Sequence, residues 1–421
     1  MRRARASPYT RRMGTGTFPH VARAAILATV VAVTLSGCLW DLGHRLEEGI
    51  IEEEFDGPFY ELPADLPAGE PGALIRTEPI LSAPIGTSAW RVIYHSRDLA
   101  GNDIPVSAVV IEPDGPAPEG GRPLVSWAHP TTGSLAHCAP SLGLDPFLLI
   151  EGLHEFLDAG FTIAATDYPG MGVAGASSYL LGVTEGNSVL DAARAARNLP
   201  DAHASDDLWL WGHSQGGQAA LFAAQDAGAY APEFTLRGVA VAAPAADLTV
   251  LMSDDISDHS GVAIASYAFP AFEAAYADRY SKESMQAILT PEGQIGAPQI
   301  EQLCLLSQNG EVQKIADPLV GNFVTSDPST TEPWKTLLEE NSAGGKPIEV
   351  PIFVAQGLAD ALVIPQATIG YVQRLCEAGE HVEFHTFEGV DHGFIADVAL
   401  PDLFRWIGDV RADAAPDTCG T

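Results

Sequence analysis

The chain has 421 residues, 46% of them hydrophobic, which is enough for one large domain with an insertion or for two domains and is not the composition of a disordered polypeptide. Its 55 acidic residues against 22 basic ones, a formal charge of −33, argue against nucleic acid as a partner and for a solvated, acidic surface. No C-x-x-C spacing occurs among its cysteines, and the one H-x-x-x-H pair, His381 and His385, falls in an expected strand, where residues four apart stand about 13 Å from each other, so a zinc site is not expected.

The N-terminus carries Arg2, Arg3, Arg5, Arg11, Arg12 and Arg23 with no acid, then an apolar run from Ala24 to Leu35, then Leu35-Ser36-Gly37-Cys38. As a helix that run reaches about 18 Å, well short of a hydrocarbon core of about 30 Å, so it reads as an export signal and not a membrane span. Its ending resembles a bacterial lipobox. On that reading residues 1–37 are a lipoprotein signal peptide, and Cys38 becomes a diacylated first residue that holds the chain at a membrane surface of the cell envelope. An ordinary secretory signal with Cys38 as a spare thiol is the alternative. Residues 38–70, with the acidic run from Glu47 to Asp56, read as a tether. Four cysteines remain, Cys138, Cys304, Cys376 and Cys419, an even number that suggests two disulfides while leaving three pairings open.

From Gly57 to Pro84 the chain is rich in Pro and Gly and reads as a wrapping segment. Strands are then expected at Trp90 to His95, Val106 to Ile111, Leu124 to Ala128 and Phe161 to Thr166, with a helix from Leu144 to Ala159 before the last of these. A second helix from Glu185 to Leu199 presents Val189, Ala192, Ala196 and Leu199 on one face. Further strands follow at Leu208 to Trp211, Val239 to Ala243, Val350 to Ala355 and His381 to Phe387. Eight strands alternating with helices predict an α/β fold with a mostly parallel sheet flanked by helices, its core made of residues 71–244 and 346–421. Residues 245–345 interrupt the alternation after the sixth strand, with helical stretches at Tyr267 to Tyr280 and Ser284 to Leu289. They read as a helical cap or lid at the sheet edge where ligands bind. Asp254, Asp255 and Asp258 lack the spacing of a calcium loop and read as a solvated turn.

Gly212-His213-Ser214-Gln215-Gly216 lies between the fifth strand and a small-residue helix. A strand-to-helix turn this tight leaves no room for side chains two residues before and after the serine, which is where the glycines stand. The turn lifts the Ser214 hydroxyl clear of the sheet at a helix N-terminus, whose free N–H groups favour developing negative charge. A serine hydroxyl needs a base, and the base needs an orienting acid. Asp360 follows the seventh strand, and His392 follows the eighth, both in loops at the same sheet edge. The order Ser214, Asp360, His392 is that of α/β-hydrolases. Asp391 and Asp397 are weaker candidates than Asp360, because a sequence neighbour seldom reaches the ring nitrogen facing away from the serine. His213 and His129 read as bracing residues. Gln215 N–H is the first oxyanion donor. The second comes from His129-Pro130-Thr131-Thr132-Gly133, where Pro130 has no N–H, so it is Thr131 or Thr132, with Thr131 favoured.

The chain resembles the secretory lipase family of α/β-hydrolases, which includes the fungal lipase A type. The matching pieces are Pro71 to Arg76, His129-Pro130-Thr131-Thr132-Gly133 with Cys138-Ala139-Pro140-Ser141, Asp167-Tyr168-Pro169-Gly170, the elbow with Gly217, Gln356-Gly357 to Asp360, and Asp391-His392-Gly393. The resemblance implies a serine carboxylester hydrolase acting on an acyl-ester or lipid substrate, with a cap over an acyl-binding tunnel, no cofactor and no metal. It also implies disulfides Cys138 to Cys304 and Cys376 to Cys419. The protein is expected to be a monomer.

Overall fold

The computed structural model describes residues 58–420. The export segment, Cys38 and the run from Glu47 to Asp56 lie outside the described residues. The apolar runs become a nine-stranded sheet, one strand more than expected: β1 (Leu74–Pro79), β2 (Thr87–Arg97), β3 (Asp103–Pro113), β4 (Arg122–Ala128), β5 (Thr162–Thr166), β6 (Ala204–His213), β7 (Thr235–Ala242), β8 (Ile352–Gly357) and β9 (Val382–Phe387). Their spatial order is β1-β2-β3-β5-β4-β6-β7-β8-β9. The β1, β2 and β3 end pairs antiparallel as far as β5, and every pairing from β5 through β4 to β9 is parallel. The additional strand, β1, lies at the sheet edge and is only partly buried along its length, so Leu74-Ile75-Arg76-Thr77-Glu78-Pro79 carries no period-two apolar signal.

The side-chain period of two sorts the central strands onto two cores. Leu208 and Leu210 of β6 pack with Leu124, Val239 and Val354 on one face, whereas Trp209 and Trp211 pack with Val125, Trp127 and Phe353 on the other. The first face is covered by α2 (Gly182–Asn198) and α3 (Gln215–Tyr230), whose buried alanines let the helices approach the sheet and each other closely. The second is covered in part by α1 (Leu153–Asp158) and the C-terminal α11 (Ile395–Arg411). α10 (Pro365–Ala378) links β8 to β9.

The long helix expected from Leu144 to Ala159 is reduced to α1. Gly152 takes a left-handed φ of 86°, and two indoles claim the carbonyls just before it: Trp127 Nε1 donates to Leu149 O at 2.9 Å and Trp211 Nε1 to Glu151 O at 2.9 Å. Residues 58–70 also differ from a free tether. Phe59 is buried, the Arg76 guanidinium donates to the carbonyls of Pro58, Phe59 and Glu61, and Arg97 donates to Gly69 O.

Between β7 and β8 run α4 (Leu248–Asp255), α5 (His259–Ala275), α6 (Lys282–Gln286), α7 (Pro291–Glu301), α8 (Asn309–Ala316) and α9 (Trp334–Glu340). α5 begins eight residues before the expected helix because Asp258 caps it, accepting from Gly261 N at 2.9 Å. Phe269, Phe272 and Trp334 form its aromatic centre, with Phe269 and Trp334 ring centroids 4.1 Å apart. Disulfides join Cys138 to Cys304 and Cys376 to Cys419, the two pairs the resemblance implies.

Candidate active site

The turn after β6 places Ser214 at φ 57°, ψ −120°, a strained conformation for a non-glycine residue. It is held from both sides, Ser214 N donating to Ala242 O at 3.0 Å and Ala245 N to Ser214 O at 2.9 Å. The flanking glycines are there for space. A Cβ on Gly216 would stand 1.9 Å from Ala128 O, and one on Gly212 would stand 2.2 Å from Gly216 O.

His392 opens a short 3-10 turn beyond β9, and Asp360 sits in the loop beyond β8. The Ser214 hydroxyl lies 2.9 Å from His392 Nε2, and His392 Nδ1 donates to Asp360 Oδ2 at 2.7 Å. Asp360 is 5% exposed, and its other oxygen accepts the N–H groups of Leu362 and Val363, both at 2.9 Å. Those bonds fix the carboxylate, which in turn fixes the ring. Asp391 and Asp397 are exposed and are not the partners of the His392 ring. Burial holds the His392 imidazole below its ordinary proton affinity, the Asp360 hydrogen bond opposing this and the charge of His213 adding to it.

Gln215 is the first residue of α3, so its N–H is one of the helix's orphan donors. Thr131 lines the same cavity as Ser214 and Gln215, and its hydroxyl is 2.8 Å from the Tyr179 hydroxyl. Thr132 turns the other way: its hydroxyl donates to Cys138 O and its carbonyl accepts Leu305 N, each at 2.8 Å. His129 and Tyr168 brace this loop from behind, with Tyr168 Oη donating to His129 O at 2.8 Å.

The cavity measures about 50 Å³ and is walled largely by the helical segment, with Leu248, Leu251, Met252, Ile264 and Phe272 joined by Leu180 and Val363. Ser214 and Gln215 are its polar end.

Two acids not singled out from the sequence, Glu185 buried and Glu151 partly buried, stand beside this line. Glu185 of α2 is fully buried and accepts from Gln215 Nε2 at 2.7 Å and Leu180 N at 3.2 Å. Burial pushes its carboxyl well above the ordinary range, outweighing those two hydrogen bonds. Its signal was present, since Glu185 falls at helical spacing on the same stripe as Val189, Ala192 and Ala196. Glu151 accepts from His213 Nδ1 at 3.0 Å, and its position in a turn offers no such signal. Among the described residues the one cluster of metal-type ligands is His137, Cys138 and Cys304, whose two sulfurs are bonded to each other.

A mostly parallel sheet with a serine on the strand-to-helix elbow after β6, and with an aspartate and a histidine on the loops after β8 and β9, defines an α/β-hydrolase fold. Solved structures agree. Lipase A of Candida antarctica in its closed state superposes with a TM-score of 0.70 at 19% identity, covering 87% of this chain and 88% of that one. A rice cell wall degrading esterase from Xanthomonas oryzae superposes with a TM-score of 0.65 at 19% identity, covering 79% and 95%. The chain belongs to the secretory lipase family, whose model matches residues 144–418. Curated relatives include a probable inactive lipase of Mycobacterium tuberculosis, 24% identical over 84% of this chain and 81% of that protein, and lipase 6 of Candida albicans, 25% identical over 85% and 81%.

Proposed function

We propose that the protein is a serine carboxylester hydrolase that cleaves acyl esters through an acyl-enzyme on Ser214. The observation that carries this reading is the unbroken line Ser214 Oγ, His392, Asp360, at 2.9 and 2.7 Å, opening on an apolar cavity. Ser214 Oγ attacks the ester carbonyl carbon while His392 Nε2 takes its proton. The tetrahedral oxyanion is held by the N–H groups of Gln215 and Thr131, each such donor contributing about 3 kcal/mol. Collapse breaks the bond to the alcohol, which leaves with the proton from His392. Water then attacks the acyl-enzyme by the same route, releasing the acid and restoring Ser214. Asp360 keeps the ring oriented and stabilises the imidazolium.

Residues 245–345 act as the cap in this reading, and the acyl chain lies against Leu251, Ile264 and Phe272. Export and diacylation at Cys38, outside the described residues, would hold the enzyme at a membrane surface as a monomer. A relative named a probable inactive lipase raises a non-catalytic reading, which the intact contacts among Ser214, His392 and Asp360 argue against.

The test is hydrolysis of p-nitrophenyl esters from acetate to palmitate beside a Ser214→Ala variant. The reading expects activity that falls by about 10⁴-fold or more in the variant. Activity equal in both proteins would remove Ser214 from the mechanism, and no hydrolysis of any ester by the folded protein would favour the non-catalytic reading. A preference for peptide or acceptor-alcohol substrates would point to a peptidase or acyltransferase on the same residues.

A further inference from the structure

His213, one residue before the nucleophile, is 2% exposed, and its Nδ1 donates to both oxygens of Glu151, at 3.1 and 3.0 Å. Its ring centroid lies 4.8 Å from that of His392, with 41° between the planes. Two imidazole–carboxylate pairs therefore face each other: His392 on Asp360 and His213 on Glu151. The mechanism above uses only the first. The second is built with care, because the backbone that carries Glu151 is pinned by the indoles of Trp127 and Trp211 and turned by Gly152. The pair joins a buried imidazole to a partly buried carboxylate, so the charge and the hydrogen bond are held in one geometry.

Two facing imidazoles at this separation resist carrying a proton each, so the first proton taken up on acidification goes to one of them. We propose that His213 and Glu151 form a positioning pair that takes this first proton, and so keeps His392 free to accept the Ser214 proton at a pH where a lone imidazole would be protonated. The inference rests on the esterase reading of Ser214 and His392.

The charges around the two rings bear this out. His392 faces Asp360 from the loop after β8, His213 from the end of β6 and Glu151 from the segment before α1. His213 faces Glu151, Asp360 and His392, and Asp397 on α11 lies near Glu151, Glu155 and His213. Burial opposes a charge on His213, but the attraction and hydrogen bond of Glu151 outweigh it and raise the ring's proton affinity. His392 moves the opposite way, lowered by burial and then, against the pull of Asp360, by the His213 charge. Glu151 acts on both rings with the same sign and is much nearer to His213. The pair thus holds its proton where Glu151 can neutralise it.

The experiment uses the full-length protein as wild type, His213→Gln and Glu151→Gln. The amide of the first can still donate to Glu151, and that of the second can still accept from His213, so each variant removes charge while keeping a hydrogen bond. Two quantities are read across pH 4.5 to 9: kcat/KM for p-nitrophenyl acetate, and the ¹⁵N shifts of the histidine rings. In His213→Gln the acid limb and the His392 titration should move upward together by about one pH unit, the low end of what a charge within about 6 Å exerts. In Glu151→Gln His213 loses its charge as well, both fields on His392 vanish together, and the upward move should be smaller. Acid limbs and His392 titrations that coincide in all three proteins, whatever their kcat, would overturn the inference and leave the pair as packing. Downward movement would overturn it equally. Wild type that hydrolyses no ester, with Ser214 unreactive, would remove the esterase reading and this inference with it. An active wild type with an unmoved limb removes the inference alone.

Discussion

The sheet edge and the helical segment after β7 both contribute to one site, yet they are built in opposite ways. At the sheet edge backbone hydrogen bonds fix two of the three residues, the Ser214 main chain through Ala242 and Ala245 and the Asp360 carboxylate through the N–H groups of Leu362 and Val363, and Asp360 in turn holds the His392 ring. The helical segment offers the site apolar side chains on α4 and α5, held by aromatic packing around Trp334. Directional chemistry demands fixed dipoles, whereas accommodation of an acyl chain demands only shape and apolar surface. The contrast implies that substitutions at the sheet edge change rate, and those in the helical segment change stability or selectivity.

After loss of Ser214 itself, the largest expected effect lies at Asp360. Asp360→Asn leaves the site's shape nearly intact but presents the wrong donor and acceptor to His392 Nδ1, and kcat should fall by about 10⁴-fold with KM for p-nitrophenyl butyrate little changed. A fall of less than about tenfold would mean that the ring is positioned without the carboxylate.

The bond between the two regions comes next. Cys138 follows β4, and Cys304 lies in the helical segment, 166 residues later. Thr132 O and Leu305 N make a hydrogen bond beside the disulfide, so it ties the loop carrying Thr131 to the helices. Replacing both cysteines by alanine should cost up to about 5 kcal/mol by loop-closure entropy, against about 4 kcal/mol for the pair Cys376 and Cys419, separated by 43 residues. Urea unfolding of the two double variants measures this. Equal midpoints for wild type and the Cys138 and Cys304 variant would show that packing and hydrogen bonds hold the helical segment to the sheet without the disulfide.

The smallest effect concerns Glu185, the buried acid under Gln215. Its folded proton affinity is raised, so the fold keeps it neutral where the unfolded chain ionises, and stability is lost as pH rises above the ordinary carboxylate value. Glu185→Gln keeps an acceptor for Gln215 and Leu180 and removes that loss. The variant should gain on wild type as pH rises from 5 to 8. Thermal unfolding curves that shift in parallel at the two pH values would contradict a neutral buried Glu185.

The same contrast governs how much could be read in advance. The elbow announces itself because a Cβ at Gly212 or Gly216 would collide with backbone, while Asp360 follows the continuous apolar run of β8 and His392 follows the alternation of Val382 and Phe384 in β9. Those are local constraints, written in adjacent residues. Edge strand β1 escaped because its burial is partial, and α1 came out short because the Trp127 and Trp211 indoles, remote in sequence, bind the carbonyls before it. Glu151 escaped for the same reason, its partner His213 lying 62 residues away. In the helical segment the sequence shows apolar periodicity but not which face meets the serine, since that depends on how six helices pack onto one another.

The central claim, that Ser214 is an activated nucleophile, is tested most directly by brief exposure of the folded protein to a fluorophosphonate, followed by intact mass and peptide mapping. The account predicts one adduct per chain, on the peptide containing Ser214, and none in Ser214→Ala. A folded wild-type protein that gains no adduct, or gains it on another serine, would contradict it.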